Sequence, residues 1–337
     1  MKKRLLTILQ YLIFLGLGIF FAWLSLKDLD QDKKHEIRIA LQHARYWLIV
    51  PVLIILFTSH LIRALRWKLL IGSLGYHAKT YNAFFAVMIG YLTNQAVPRL
   101  GEIAKCTMLA RYEKIPADKL IGTIILERVI DAITLLLVFG ITIIIQPAIY
   151  TDLFNAFFHS PHDPAKKKIS GYIIAAIIIG IIAIAIIMWM IVKKKSLADL
   201  KGIIQRIGKS IWQGISAVRH LKQRWLFIFY SIALWAFYFT GGYIGFYAFQ
   251  ETQQYGVKEG FAILSAGSIG MIATPGGIGA YALLIEKTMQ VYGLQAGIAI
   301  AFGWILWLSQ TAVILLGGFV SFAAFPYFNK KKQSEKR

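Results

Sequence analysis

Residues 120–145 read LIGTIILERVIDAITLLLVFGITIII, an apolar run interrupted only by Glu127, Arg128 and Asp131. A run of about 20 apolar residues crosses about 30 Å of hydrocarbon as a helix, and this one is long enough. Ionisable residues on a spanning helix face a packed interior or a wet cavity, because lipid does not solvate them. Glu127 and Asp131 lie four apart and share a helical face. Arg128 precedes Asp131 by three and can pair with it. Two readings of the cluster stand: a salt bridge that only locks helix to helix, or part of a polar transport pathway.

Working outward, the rest of the chain is built the same way. It is 58% hydrophobic over 337 residues, with a mean hydropathy of +0.61. That composition excludes an ordinary soluble domain and predicts an all-α integral membrane protein, a polytopic helical bundle of about six full spans. The expected spans are Leu5 to Leu26, the shorter Trp47 to Ile62, Leu120 to Ile145, Ile169 to Val192, Trp225 to Phe249 and Leu294 to Phe325. Trp47, Trp225 and Tyr327 near span ends fit interfacial aromatic belts. Met1 to Arg4 with the following apolar stretch could be a signal peptide, but the stretch is too long and lacks a small-residue cleavage pattern.

A net charge of +21 raises the question of nucleic acid. Its distribution answers it. The segments expected inside carry 26 of the 37 Lys and Arg residues, and those expected outside carry 10. This bias follows the positive-inside rule and predicts a multi-pass protein of the cytoplasmic membrane with both termini cytoplasmic. The basic inner face suits anionic phospholipid headgroups, and no soluble fold is present to build a nucleic-acid patch. The single cysteine, Cys106, excludes an internal disulfide, and the histidines are too scattered for a metal site. No metal or other cofactor is expected.

Two segments break the pattern of full spans. Tyr81 to Arg111 starts and ends in charge expected on the inner side, so it must enter the membrane and return. It breaks at Pro98, which removes a backbone donor, and Gly101 tolerates the tight geometry of a broken helix. In the second half, Gly260 to Thr274 is broken by Pro275-Gly276-Gly277-Ile278-Gly279, and Ala280 to Tyr292 returns. The two broken segments read as re-entrant hairpins entering from opposite sides. The expected organisation is a single membrane domain over 1–337 with inverted repeats, 1–146 and 169–329. Interrupted helices at matching places in two inverted halves point to a transporter's binding site. The alternative is that Pro98 and Pro275 kink two ordinary helices.

The residues at the breaks define the candidate site. Asn94, Pro98, Arg99, Gly101, Glu102 and Lys105 place an amide, two cations and a carboxylate at one bend. Arg99 offers a fork for a phosphodiester and Lys105 a point charge. At the second break, Pro275, Gly276, Gly277 and Gly279 can expose backbone N–H groups beside a helix amino end. Arg63 and Arg66 could grip inner-leaflet phosphates or serve as snorkelling anchors. Glu127, Arg128, Asp131 and Glu286 are the candidate polar pathway. Residues 193–224 carry an apolar stripe at intervals of three and four with a basic remainder, predicting an amphipathic helix on the inner membrane surface.

Four ordered motifs carry a family resemblance: Arg63-Ala-Leu-Arg66-Trp67, Asn94 through Lys105, Glu127-Arg128-Val-Ile-Asp131, and Thr274-Pro275-Gly276-Gly277-Ile278-Gly279. Together they resemble the transmembrane region of lysylphosphatidylglycerol synthases, in the broader group of flippase-like membrane proteins. The resemblance implies a unit that moves aminoacylated phosphatidylglycerol between leaflets, while a separate cytosolic domain makes that lipid. The sequence ends at Arg337, twelve residues past Phe325, so no lysyltransferase activity is expected. Two departures from the family pattern are Lys105, where arginine is common, and Ala282, where many relatives carry an acid; Glu286 is a candidate substitute. The expectation is translocation of an anionic phospholipid or lipid-linked sugar. The alternative is a membrane accessory region for a lipid-modifying enzyme partner.

Overall fold

The computed structural model describes residues 15–97, 100–158, 218–219 and 221–334. Among them every regular element is helical. In chain order these are α1 (Leu15–Leu26), α2 (Gln31–Gln42), α3 (Ile49–Ser73), α4 (Thr80–Ala96), α5 (Leu100–Glu113), α6 (Ala117–Ile145), α7 (Ile149–Phe158), α8 (Arg224–Gly245), α9 (Val257–Ala273), α10 (Ala280–Val291) and α11 (Ala296–Ser334). Short 3₁₀ turns join several of them. Pro98 and Arg99 lie outside the described residues, as do the expected span Ile169 to Val192 and most of the amphipathic segment 193–224.

Among the described residues, four helices are long and apolar enough to cross a membrane: Tyr46–Ser73, Ala117–Ile145, Arg224–Ala248 and Ala296–Asn329. The protein is therefore an all-α polytopic membrane protein. Its outward surface agrees, since Ile125, Leu136 and Ile144 of α6 are 60%, 66% and 80% exposed and need an apolar solvent. The second expected span runs further than its apolar stretch, to Ser73, because the charges that end that stretch, Arg63 and Arg66, are buried in the protein. The segment before it holds α2, whose polar composition gives no hydropathy signal. Asp30 caps α2 by accepting the Lys33 N–H at 2.8 Å, and Glu36 accepts the Gly297 N–H at 2.8 Å, satisfying the start of α11.

The element order span, hairpin, span occurs twice, as α3–α4/α5–α6 and α8–α9/α10–α11. The packing is reciprocal. α3 lies along α8, the first helix of each half against the other; α4 packs on α11, and its counterpart α9 packs on α6. The hairpin helices are short. At 1.5 Å per residue the 17 residues of α4 and of α9 cover about 26 Å, less than the hydrocarbon thickness. Two separate apolar cores form, one around Trp67 and Leu109 with Phe325 of α11, and the other around Phe246, Ile285 and Phe302.

Candidate functional site

Four helices converge on a buried ion-pair network. Arg63 and Arg66 are one turn apart on α3 and face Glu127 and Asp131, one turn apart on α6. Arg63 Nη1 donates to Asp131 Oδ2 at 2.7 Å and to Glu127 Oε1 at 3.1 Å, and its Nη2 reaches the Tyr238 hydroxyl at 3.0 Å. Arg66 Nη2 donates to Asp131 Oδ1 at 2.6 Å and to Glu127 Oε1 at 3.4 Å, and its Nη1 meets Ser231 Oγ at 3.4 Å. From α5, Lys105 Nζ donates to Glu127 Oε2 at 2.8 Å while lying 4.1 Å from the Trp67 ring centroid. Trp67 is held in turn by its indole N–H on Thr123 Oγ1 at 2.8 Å.

Burial separates the roles of these groups. Glu127 and Arg66 are fully buried, and Arg63 and Lys105 nearly so. Arg66, for which headgroup contact or snorkelling was expected, is an interior ion-pair residue. Arg128 differs. Its side chain is 46% exposed and touches Glu102 Oε1 at 3.2 Å and Asp131 Oδ2 at 3.9 Å. Glu127, Arg128 and Asp131 are thus brought together, but the pair drawn from sequence spacing, Arg128 with Asp131, is the longest contact of the network.

The first hairpin closes on this network through small residues. Gly90 of α4 and Gly101 of α5 approach so closely that a Cβ on Gly101 would overlap the Gly90 carbonyl and the Asn94 amide. Asn94 Oδ1 accepts the Gly101 N–H at 2.7 Å and so caps the start of α5. Asn94, Gly101, Glu102 and Lys105 border a small polar notch beside Arg63 and Arg128.

At the second break, Gly276, Gly277 and Gly279 all have positive φ, at 58°, 72° and 69°, a region that favours glycine. The Gly277 N–H is used internally, on Thr274 O at 3.0 Å, and Thr274 Oγ1 donates to Ile278 O at 2.9 Å. These glycines also allow close approach. The Gln95 side chain fills the space of a Cβ on Gly276, and the α1 backbone at Gly18 and Ala22 fills that of a Cβ on Gly279. Trp307 of α11 donates to Gly276 O at 2.9 Å. The two hairpin tips therefore meet, with Gln95 of one against Gly276 of the other. Pro275 is buried at that junction.

Between the halves is a cavity of 390 Å³. One end is polar, formed by His60, Arg63, Arg128, Asp131 and Tyr238; the remainder is largely apolar, with Ile263, Met271, Leu306 and Ile314 among its walls. Arg63, Tyr91 and Arg128 border both the cavity and the notch.

Glu286 is placed in a separate cluster. It is buried and accepts from Ser25 Oγ of α1 at 2.6 Å and from Gln290 Nε2 at 3.2 Å, with Lys287 Nζ at 3.1 Å. Ala282, one turn earlier, is fully buried, and its carbonyl lies where a Cβ on Gly303 would be, so α10 and α11 approach closely here only because residue 303 is glycine.

His60, Tyr91, Ser231, Trp235 and Tyr238 belong to the site without having been expected there from sequence. Ser231, Trp235 and Tyr238 recur at intervals of four and three on one face of α8, a stripe that polar patterning within an apolar span could have revealed. His60 precedes Arg63 by one turn on α3 and carries the same signal.

A family profile described as the lysylphosphatidylglycerol synthase TM region matches residues 8–318. The chain is also similar to the UPF0104 membrane protein MJ1595 of Methanocaldococcus jannaschii, with 27% identity over 133 residues, which is 39% of this chain and 36% of that protein. The match thus spans about a third of the length of that relative. No solved structure matches the chain.

Proposed function

The chain belongs to the lysylphosphatidylglycerol synthase transmembrane-region family, and on that premise we propose that it translocates an anionic phospholipid or lipid-linked sugar between membrane leaflets. The observation that carries this reading is the meeting of two broken hairpins beside a cavity with an apolar body and a cationic end. Broken helices whose tips meet between duplicated halves are the arrangement through which alternating access works, each hairpin closing one side. An apolar chain suits the cavity walls and an anionic head suits its charged end. The buried pairs of Arg63, Arg66 and Lys105 with Glu127 and Asp131 hold α3, α5 and α6 together around that space. Partners of this chain are then membrane lipids, and the cytoplasmic membrane is its place of action.

The test is reconstitution into liposomes carrying a fluorescent phosphatidylglycerol, with a membrane-impermeant quencher added outside. Protein-dependent access of the quencher to the inner-leaflet probe is the expected result. Quenching no greater than in protein-free liposomes, for phosphatidylglycerol and for a polyprenyl-phosphate sugar alike, overturns the reading.

A further inference from the structure

We propose that Arg128 is the anion-binding side chain of the cavity, and that Glu102 occupies it in place of a ligand whose head is a phosphate-type anion on an apolar chain. This rests on the translocation reading above and names how its substrate would be held.

Three of the four cations of the network, of which Arg63 and Arg128 line the cavity, are already committed. Arg63, Arg66 and Lys105 are buried and each holds a carboxylate oxygen at 2.6 to 2.8 Å. A ligand reaching them would have to break those pairs. Arg128 has no such commitment: its contacts are at 3.2 and 3.9 Å, its side chain is nearly half exposed, and it borders both the notch and the cavity.

Glu102 is a poor permanent partner for it. Only Oε1 meets Arg128, while Oε2 is buried with no hydrogen-bond partner among the described residues. An ionised oxygen without a donor is costly to bury, so this pair is the one in the network most readily exchanged. The charge balance points the same way. Among the described residues of the network, four cations, Arg63, Arg66, Lys105 and Arg128, face three carboxylates, Glu102, Glu127 and Asp131. An added anion completes it.

The cavity also presents unused polar groups at this end. His60 is 7% exposed and its Nδ1 has no hydrogen-bond partner; the Trp235 indole N–H is buried and likewise unpaired among the described residues. Both residues line the cavity. They connect to Arg63 through rings, since His60 packs on Tyr91 with centroids 4.7 Å apart and Trp235 meets Tyr238 edge-on at 6.0 Å. An indole N–H can only donate, and a phosphate oxygen is an acceptor. Arg128 supplies the charge and the planar fork, and Trp235 a further donor.

One experiment tests the assignment. Purified protein in phosphatidylcholine nanodiscs is titrated with dioctanoyl phosphatidylglycerol, with farnesyl phosphate and with dioctanoyl glycerol, which has no charge. The wild type should bind an anionic probe and not the neutral one, and the preferred anionic probe identifies a glycerophospholipid or an isoprenoid source. Arg128→Gln should weaken that binding roughly ten- to a hundredfold, the loss of a charge-assisted contact. Glu102→Gln should tighten it several-fold, because the ligand no longer displaces a carboxylate. A gain in affinity cannot come from misfolding, so this variant decides the question even if Arg128→Gln fails to fold. Unchanged or weaker binding by Glu102→Gln, or equal binding of all three probes by the wild type, overturns the assignment. Failure of the two readings is separable: probe binding with no translocation in liposomes refutes the transport reading and leaves the site, whereas translocation unaffected by both variants refutes the site.

Discussion

Among single residues, burial ranks the charges more sharply than their number does. Glu127 is fully buried and accepts from three cations, so Glu127→Gln leaves buried positive charge without its counterion and should cost about 3–5 kcal/mol. Arg128→Gln removes contacts at 3.2 and 3.9 Å made by a half-exposed side chain and should cost less than Glu127→Gln. Thermal unfolding of both variants in detergent checks the order, and a larger loss for Arg128→Gln would refute this division of roles. The cluster on α6 was legible in the sequence because charge inside an apolar run is conspicuous. Its partners were not. Arg63 and Arg66 sit at the end of their apolar run, where a headgroup anchor and a buried ion pair look alike, and only the position of α6 against α3 separates the two.

For the elements, what matters is how closely two helices can approach. The first hairpin closes at Gly90 and Gly101, and Gly101→Ala would drive a methyl group into the Gly90 carbonyl and the Asn94 amide that caps α5. We expect about 1–3 kcal/mol of destabilisation from this overpacking, and loss of the notch. Gly122→Ala on α6 is the control, since nothing lies within 4 Å of its added Cβ, and it should leave the melting temperature unchanged or raised. Equal effects of the two substitutions would mean that the hairpin does not depend on that close approach. Both helix breaks were legible because proline and glycine announce them. The reason for three glycines at the second break was not: their positive φ is local, but the crowding by Gln95 and α1 comes from segments distant in sequence.

At the scale of the whole molecule, the order span, hairpin, span occurs twice among the described residues. With both hairpin tips touching, Gln95→Cys and Gly276→Cys on a Cys106→Ser background should be linked by a short bifunctional thiol reagent, and the linked protein should bind lipid but no longer translocate it. Full translocation after complete linking would show that the tips need not separate. On the same background, single cysteines in the α5–α6 loop at Lys114 should label from the cytoplasmic side, and those in the α10–α11 loop at Gly293 from the outside, as the charge distribution requires. Labelling of both from one side would sink the inverted arrangement. The matching association of α4 with α11 and of α9 with α6 has a thermodynamic consequence. When each half can take the shape now held by the other, the packing that one half gives up is recovered by its counterpart, and the two resulting forms differ in free energy only through residues that the halves do not share. The ion-pair network belongs to one such residue set, since Glu127 and Asp131 lie in the first half and the buried acid of α10, Glu286, pairs quite differently. In an alternating-access cycle the charges would act as ballast, setting the side on which the empty protein rests.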